Sequence, residues 1–314
     1  MKNNLKTAVI GIGNMGKNHA RVYSEISNLV GIADLSSELG IPLAKKFNTK
    51  FYSNYKKMLD IEKPEAVSIA VPTHLHKIIS IECIKKGIPI LIEKPVADSL
   101  KSAKGILNEA RKRNVIVMIG HIERYNPAIK KLKQLINNKR FGEITNLLGI
   151  RVGISPPKSE NSDVVLDLAI HDVDIFNYLL DEYPLKKKII RQKIFDNNIA
   201  DSASVLLEYK NSTGFIQTNW ITPIKARKLY VTGTNGFAEL DYIKQKLVLY
   251  DKVLGKKGPD GFFRGIFPSE PPKKVIFISK KEPLKEELNF FLNKVKENKM
   301  IESQYAVEAL RIVL

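Results

Sequence analysis

The chain has 314 residues, of which 44% are hydrophobic, so it is long enough for two domains that each bury a core. Its formal net charge of +18 comes mostly from lysines scattered along the whole sequence, which predicts a lysine-rich solvated surface and argues against a nucleic-acid-binding protein. With one cysteine, no apolar run of transmembrane length and no signal-peptide core, the sequence predicts a cytoplasmic protein without disulfides or membrane contact.

Residues 1–120 alternate short β-branched runs with stretches that carry apolar residues at helical spacing. The strand-like runs are 7–10, 29–33, 66–71, 89–92 and 115–119, and the helical stretches include 17–24, 55–60, 75–86 and 99–112. This alternation predicts an α/β domain with a doubly wound parallel sheet, whose ligand lies at the carboxyl ends of the strands.

The first predicted strand ends in a G-x-G-x-x-G motif that leads into a helix. Its residues are Gly11, Ile12, Gly13, Asn14, Met15 and Gly16. In a dinucleotide-binding turn the first glycine allows the tight turn, the second lets backbone approach a pyrophosphate, and the third lets the helix pack on the sheet. All six residues are predicted to bind a cofactor at the helix N-terminus.

Asp34 ends the second predicted strand, at roughly the 20-residue distance from the glycines where the acidic residue of this motif is expected. A carboxylate there accepts hydrogen bonds from ribose hydroxyls and repels a 2′-phosphate. Residues 35–37 offer no arginine to hold that phosphate. The sequence therefore predicts an NAD-binding Rossmann domain over residues 1–120. The alternative is that Asp34 only caps a strand-to-helix turn.

Glu93, Lys94 and Pro95 follow the fourth predicted strand, which places them at a carboxyl end in the cofactor crevice. Lys94 is a cation that can reach both a nicotinamide ribose and a substrate hydroxyl, and Pro95 restrains the backbone, with a cis bond as one option. The alternative is a surface lysine in a turn. Residues 74 and 76, both histidines, follow another strand and either touch cofactor or start a helix.

After about residue 120 the pattern changes to helices followed by successive strands. Helices are predicted at 127–137, where Asn126 can act as the N-cap, and at 165–180. Strands are predicted at 188–195, 203–209, 214–221, 227–232, 237–241, 247–250 and 274–278, a loop at 254–273, and closing helices at 284–297 and 303–313. Residues 121–314 are thus predicted to form an α+β domain with an open-faced, mainly antiparallel sheet. The closing helix is expected to pack back on the first domain.

One strand of this sheet, 214–221, carries Trp220, the single tryptophan of the chain. An antiparallel sheet with few helices leaves one face bare, and a bare face with aromatic residues is typical of a subunit interface. A homo-oligomer, a dimer or tetramer packed through this sheet, is therefore predicted.

Asp167 and His171 lie four residues apart in the predicted helix 165–180 and share a face. The ordinary pKa of a histidine, about 6.5, suits proton transfer near neutral pH, and Asp167 can orient the ring. The alternative is an acidic helix start with a structural histidine. No metal site is predicted, since no cysteine pair or second histidine lies nearby.

Together these segments resemble the Gfo/Idh/MocA family of oxidoreductases. The matching pieces are residues 11–16, 71–76, Glu93-Lys94-Pro95, and the Asp167, His171 and Asp174 segment. The resemblance implies NAD(P)-linked oxidation or reduction of sugars and cyclitols, with Lys94, Asp167 and His171 as catalytic residues. His171 would be the base, Asp167 its partner and Lys94 the group that polarises the hydroxyl, although which of Lys94 and His171 takes the proton differs between members of the family. It also implies cofactor contacts from Pro72, Thr73, His76, Glu93 and Lys94.

Within the family, residues 120–127 and 167–174 look most like the branch that oxidises the 3-hydroxyl of UDP-N-acetylglucosamine. That likeness implies an NAD-dependent dehydrogenase of a sugar nucleotide, with a free sugar or inositol dehydrogenase and a non-catalytic NAD-binding regulator as alternatives. The implied substrate-binding residues are His121, Arg124, Tyr125, Asn126, Arg151 and His171. The segment Arg151-Val152-Gly153-Ile154 lacks the proline that often ends this motif in the branch.

Overall fold

The computed structural model describes residues 4–154, 163–195, 198–251, 256–257, 263–264 and 272–314. The chain divides into two compact units: unit 1 comprises Met1–Tyr125 with Glu282–Ile312, and unit 2 comprises Asn126–Lys281. The sequence prediction assigned residues 282–312 to the second domain and expected the closing helix to pack on the first domain. The structure instead places these residues, and with them both closing helices, in unit 1. They join it because apolar side chains of the first of them enter its core.

Unit 1 is built on a six-stranded sheet in which all neighbouring strands are parallel. Its strands are β1 (Lys6–Ile10), β2 (Asn28–Ala33), β3 (Lys50–Tyr52), β4 (Ala66–Ile69), β5 (Ile90–Glu93) and β6 (Val117–Gly120), in the order β3-β2-β1-β4-β5-β6. The three strands β4 to β6 are buried at every residue, as parallel strands under helices usually are.

The connecting helices of unit 1 are α1 (Asn14–Ile26), α2 (Ser37–Lys46), α3 (Tyr55–Glu62), α4 (Thr73–Lys85) and α5 (Leu100–Arg113). Asn54 and Ser99 cap the backbone N–H groups at the starts of α3 and α5. The sequence prediction missed α2 and β3. Pro42 lies inside α2, and β3 has only three residues, so neither shows a clear periodic pattern.

The closing helices are α8 (Pro283–Lys296) and α9 (Gln304–Val313), as predicted. Leu284, Leu288 and Phe291 of α8 are buried in the same core cluster as Tyr23 of α1. At the start of α9, the Ser303 hydroxyl donates to the Val117 carbonyl of β6 at 2.7 Å. These contacts tie the end of the chain to the parallel sheet of unit 1.

Unit 2 is built on an eight-stranded sheet in the order β16-β13-β12-β11-β7-β10-β9-β8. The strands are β7 (Ile144–Val152), β8 (Lys186–Gln192), β9 (Ser202–Glu208), β10 (Thr213–Asn219), β11 (Ala226–Gly233), β12 (Gly236–Asp241), β13 (Lys246–Asp251) and β16 (Lys273–Ile276). All neighbours are antiparallel except β7 and β10. The predicted fold class is confirmed, but the central strand β7 was not predicted.

The predicted loop 254–273 falls largely outside the described residues. Its described part includes two short paired strands, β14 (Lys256–Lys257) and β15 (Phe263–Arg264).

Helix α6 (Pro127–Asn137) begins after Asn126, whose side chain accepts from the Ala128 N–H as predicted. The predicted helix 165–180 consists of two parts, a π-helical turn (Val165–Ala169) and α7 (Ile170–Leu180). The wider π-helical turn carries Asp167, and single π-helical turns occur often at functional sites.

Candidate functional site

The turn between β1 and α1 has the three backbone features that the glycine motif predicts. Gly11 adopts a φ of +84°, and an added Cβ would lie 2.6 Å from the Ala70 carbonyl oxygen. A Cβ on Gly16 would lie 1.8 Å from the Gly11 carbonyl oxygen, so the helix approaches the turn too closely for any side chain. Gly13 is exposed, and a Cβ there would meet nothing within 4 Å.

Next to this turn lies a cleft of about 720 Å³ within unit 1. Apolar side chains dominate its walls, and three of them are strongly exposed: Leu35 at 91%, Leu39 at 61% and Ile78 at 66%. Large exposed apolar side chains around one cleft indicate a site for a flat apolar group. The sequence prediction did not identify these residues, because an isolated leucine in a loop or an isolated apolar residue on a helix carries no periodic signal of its own.

Asp34 lines the same cleft and connects the two loops at its mouth. One carboxylate oxygen accepts the Ile12 N–H at 2.8 Å, and the other accepts the Ser36 N–H at 2.9 Å. Each carboxylate oxygen keeps a second lone pair for a ligand. The capping alternative and the binding prediction are therefore compatible, since Asp34 braces the glycine turn and still faces the cleft.

These features fit a dinucleotide. The open backbone at Gly13 and the start of α1 suit a pyrophosphate, because the unpaired N–H groups of a helix N-terminus attract anions. Asp34 suits ribose hydroxyls, and the apolar walls suit an adenine ring. Ile12 and Gly16 are buried, so they shape the turn, whereas Asn14 is exposed and Met15 is half-buried.

The segment after β4 divides between the cleft and the interior. Pro72 and His74 line the cleft, and Thr73 begins α4. His76, predicted as a cofactor contact, is buried, with Nδ1 2.9 Å from the Pro95 carbonyl oxygen and Nε2 2.9 Å from the Val71 carbonyl oxygen. Burial lowers the pKa of His76 despite these hydrogen bonds. Its side chain therefore tethers two loops instead of lining the cleft.

Lys94 directly follows β5 and is half-buried, and the Lys94–Pro95 peptide bond is cis. Glu93 is buried, with one carboxylate oxygen 2.8 Å from His19 Nε2, while the other accepts the Lys94 backbone N–H at 3.2 Å. Burial acts to raise the pKa of Glu93, but the hydrogen bond from His19, the positive charge of Lys94 and the hydrogen bond from the Lys94 backbone outweigh it, so this pKa lies below its ordinary value. Glu93 is thus a buried carboxylate that bonds both His19 and the Lys94 backbone, and its contact with the cofactor stays a prediction.

In unit 2, Asp167 and His171 lie at the junction of the π-helical turn and α7, and both are half-buried. The indole Nε1 of Trp220 donates to Asp167 Oδ2 at 3.2 Å. Trp220 is 8% exposed and follows the end of β10. The prediction that Trp220 marks a bare sheet face is therefore wrong, since its ring packs inside the unit and its N–H holds Asp167.

Arg151 and Asp172 form a buried ion pair in unit 2. The guanidinium Nε lies 2.6 Å from Asp172 Oδ2, a second nitrogen lies 3.2 Å from Oδ1, and the Tyr242 hydroxyl donates to Oδ1 at 3.3 Å. Arg151 is 3% exposed. Instead of presenting its charge to a substrate, as predicted, Arg151 joins β7 to α7. Asp174, two residues further on, is also buried.

The segment after β6 was predicted to bind substrate. His121 is buried and meets the Tyr305 ring edge-on at 5.6 Å, and the Arg124 guanidinium stacks 3.8 Å over the same ring. The Tyr125 ring lies against Phe290 of α8. The structure thus places the side chains of His121, Arg124 and Tyr125 against the closing helices of unit 1.

Asn126 is also buried, and its amide donates to the Tyr242 carbonyl at 3.1 Å. Its side chain is therefore committed to the structure of unit 2, where it also caps α6.

Two absences hold for the described part of the chain. It contains no group of three or more His, Cys, Asp or Glu side chains arranged to hold a metal ion. None of its helices combines the length and apolar composition needed to cross a bilayer.

Cys83 is buried, and burial raises the pKa of its thiol to about 12, so this thiol is a poor nucleophile.

Comparison with known families agrees with this geometry. Residues 5–121 match the model of the Gfo/Idh/MocA oxidoreductase family, NAD-binding Rossmann fold, and residues 129–239 match the family's C-terminal domain. The UDP-N-acetylglucosamine 3-dehydrogenase of Acidithiobacillus ferrooxidans is 27% identical over 93% of this chain and 88% of its own length. The myo-inositol 2-dehydrogenase of Thermotoga maritima is 23% identical over 81% of this chain and 80% of its own length.

Solved structures show the same fold. The structure of the Acidithiobacillus ferrooxidans enzyme superposes with a TM-score of 0.85 at 24% identity, over 99% of this chain and 95% of that one. A levoglucosan dehydrogenase in complex with NADH and levoglucosan superposes with a TM-score of 0.83 at 21% identity, over 99% and 95% of the two chains. The chain belongs to the Gfo/Idh/MocA family of oxidoreductases, and its unit 1 contains the family's NAD-binding Rossmann domain.

Proposed function

We propose that this protein is an NAD-dependent dehydrogenase that oxidises a sugar hydroxyl to a ketone, acting on C3 of UDP-N-acetylglucosamine or a related UDP-sugar. The observation that carries the proposal is Lys94, an ammonium group at the carboxyl end of β5 in the NAD-binding unit, held beside the buried Glu93. The choice of sugar is supported by the 27% identity to a UDP-N-acetylglucosamine 3-dehydrogenase over 93% of the chain.

The chemistry is divided between the coenzyme and three side chains. Bound NAD supplies the hydride acceptor. Lys94 donates a hydrogen bond to the reacting hydroxyl oxygen and stabilises the negative charge that develops there. A ring nitrogen of His171 takes the hydroxyl proton, and Asp167, held by Trp220, orients the ring. Lys94 is the alternative proton acceptor.

The direct test is incubation with NAD and UDP-N-acetylglucosamine, followed by absorbance of the reduced nicotinamide and the mass of the sugar product. We expect a product two hydrogens lighter than the substrate, and inhibition by UDP alone. Free N-acetylglucosamine and myo-inositol serve as comparison substrates. Faster turnover of either, without inhibition by UDP, would replace the nucleotide-sugar assignment.

Lys94→Ala tests the role of the ammonium group. Because a positioned acid or base contributes about 10²–10⁴-fold to rate, we expect kcat to fall by at least ~100-fold with a small change in the Kd for NAD. Lys94→Arg is the matched control for charge, and it should keep NAD binding without restoring full turnover. Near-wild-type turnover of Lys94→Ala would end the assignment.

A dehydrogenase of a free sugar or inositol is the second candidate. One observation favours it: Arg151, predicted as a substrate-binding cation, forms an ion pair with Asp172 and so does not present its charge to a diphosphate. A non-catalytic NAD-binding regulator is the third hypothesis. It predicts that the protein binds the coenzyme but turns over none of the three compounds tested.

We also propose that the protein is a cytoplasmic homo-oligomer. One face of the unit 2 sheet carries a band of half-exposed side chains, which we call the open-face band: Leu148, Leu206, Phe215, Tyr230, Phe237 and Tyr250. Contiguous aromatic surface of this kind favours burial against a partner. Sedimentation at micromolar concentration should show a dimer or tetramer that Phe215→Lys weakens, and a wild-type monomer would refute the proposal.

A further inference from the structure

A chain of buried polar side chains runs through unit 1 to the residue before Lys94. The Tyr23 hydroxyl lies 2.8 Å from Ser68 Oγ, and Ser68 Oγ lies 3.0 Å from His19 Nδ1. His19 Nε2 lies 2.8 Å from Glu93 Oε1, and Glu93 Oε2 accepts the Lys94 backbone N–H at 3.2 Å. Tyr23, His19 and Ser68 have no exposed surface, and Glu93 is 7% exposed.

One direction of donation satisfies every group in this chain. Tyr23 donates to Ser68, Ser68 donates to His19 Nδ1, and His19 Nε2–H donates to Glu93. Burial raises the pKa of Tyr23, so its hydroxyl keeps the proton that this direction requires. The order of donors and acceptors fixes both the tautomer of His19 and the position of the Glu93 carboxylate.

The titratable groups around this series of hydrogen bonds come from several elements. His19 and Tyr23 lie on α1, His76 on α4 and Glu287 on α8, and the charge of Glu287 acts on Tyr23. The Lys94 backbone is also held from its other side, because His76 Nδ1 lies 2.9 Å from the Pro95 carbonyl oxygen. His19 is the group that holds the Glu93 oxygen facing away from the Lys94 peptide.

We propose that His19 is a positioning residue for Lys94 and acts through Glu93. A buried carboxylate that loses its donor either takes up a proton or draws in water, and both change its geometry. The oxygen that accepts the Lys94 N–H would then no longer be fixed, and the backbone that carries the ammonium group would move. The inference rests on the proposed catalytic role of Lys94. No part of the proposed reaction uses His19 directly.

The test compares two replacements of His19 with a control elsewhere in the sheet. His19→Gln keeps an N–H donor for Glu93, whereas His19→Met fills the space without one. Thr7→Val is the control, because it removes the buried hydrogen bond between Thr7 and Ser27, 2.9 Å long, from β1 without touching the chain to Glu93. Each variant is measured for melting temperature, Kd for NAD, kcat on the sugar, and labelling of Lys94 by an amine reagent with and without NAD.

We expect His19→Met to lower kcat at least ~10-fold while the Kd for NAD changes less than about threefold, and His19→Gln to restore most of the loss. NAD should protect Lys94 from labelling in the wild type and in His19→Gln, and clearly less in His19→Met. Thr7→Val should lower the melting temperature and leave kcat and labelling unchanged. The labelling comparison does not depend on turnover, so it remains decisive if His19→Met is poorly active or only marginally stable.

The outcomes separate the two proposals. Wild-type kcat and wild-type protection of Lys94 in His19→Met, together with loss of turnover in Lys94→Ala, would overturn the role of His19 and leave the proposed function standing. Full turnover in Lys94→Ala would overturn the proposed function and the role of His19 with it. Equal losses in His19→Met and Thr7→Val would also overturn the inference, since that pattern reflects stability alone.

Discussion

At the scale of single residues, two carboxylates near the proposed coenzyme site accept hydrogen bonds from backbone N–H groups. Asp34 accepts the backbone N–H groups of Ile12 and Ser36, and Glu93 accepts that of Lys94. Backbone N–H groups are strong donors, so each of these hydrogen bonds fixes a loop. Coenzyme binding and loop structure are therefore expected to change together when such a residue is replaced.

Asp34→Asn tests this coupling. The amide has one oxygen acceptor in place of two, so either the Ile12 or the Ser36 N–H loses its acceptor, and the negative charge near the ribose is lost. A hydrogen bond to a charged group contributes about 1.5–3 kcal/mol, so we expect the Kd for NAD to rise about 10- to 100-fold. Titration of coenzyme fluorescence measures it. NADP affinity should fall less than NAD affinity, and an equal fall in both would contradict a role in repelling the 2′-phosphate.

Glu93 predicts an acid-sensitive contribution to stability. Its pKa is lower in the folded protein than its ordinary value, so its stabilising effect is present above the unfolded-state pKa, near 4.5, and is lost as the pH falls through the folded-state value. The wild-type melting temperature should therefore fall more steeply below about pH 5 than that of Glu93→Gln. Parallel slopes for the two proteins would show that folding does not lower the pKa of Glu93.

At the scale of elements, the β1–α1 turn separates two functions between neighbouring glycines. Gly16 lies where a methyl group would overlap the Gly11 carbonyl oxygen, and Gly13 lies where a methyl group would meet open space. Gly16 therefore allows the helix to pack on the turn, whereas Gly13 leaves space for a ligand that approaches the turn from the cleft.

Two alanine variants test this division. Gly16→Ala should destabilise unit 1 by at least ~2 kcal/mol, because the clash is with backbone that cannot move aside cheaply. Gly13→Ala should leave the melting temperature nearly unchanged and weaken NAD binding ~10-fold or more, because its methyl group occupies the space for the pyrophosphate. Thermal unfolding and coenzyme titration distinguish them. Normal NAD binding by Gly13→Ala would place the pyrophosphate elsewhere.

The ion pair between β7 and α7 predicts a stability effect where the sequence predicted substrate binding. Arg151→Met leaves the Asp172 carboxylate buried with its ion-pair partner removed, which typically costs about 3–5 kcal/mol. Urea unfolding measures this loss. The double variant Arg151→Met with Asp172→Leu removes both charges and should recover much of the stability. Loss of inhibition by UDP without loss of stability would restore Arg151 as a substrate-binding residue.

At the scale of the whole molecule, the net charge of +18 produces an electrostatic field that acts on ligands before they reach the protein. The proposed substrate and the coenzyme are both anions, so a positive surface raises their local concentration and their rate of association. Salt screens this field, with a Debye length of about 8 Å at physiological ionic strength. The charge is thus a determinant of kinetics and solubility and says nothing about which sugar is bound.

We therefore expect kcat/KM for UDP-N-acetylglucosamine to fall ~3- to 10-fold between low and high salt, with kcat nearly constant. A neutral sugar assayed in the same series is the control and should show little change. Random duplex DNA should not bind in a salt-dependent manner, and retention of such DNA at physiological salt would revive the nucleic-acid reading of the charge.

The sequence by itself determined the parts of this protein whose residues are close together along the chain. The G-x-G-x-x-G turn, the acid after the second strand, the alternation of strands and helices and the capped start of α6 are local patterns with a direct physical meaning, and the fold class followed from them. Weak local patterns failed: the three-residue β3, the proline-containing α2 and the central strand β7 were missed.

Only the tertiary structure decided which side chains are partners. His19 and Glu93 are 74 residues apart, Asp167 and Trp220 are 53 apart, and Arg151 and Asp172 are 21 apart, yet each pair is bonded. Periodicity shows that a residue is buried but not what it meets, so Arg151 looked free for a substrate and Trp220 looked exposed. A buried polar group must find a partner, and that partner is chosen by how the elements pack rather than by its place in the sequence.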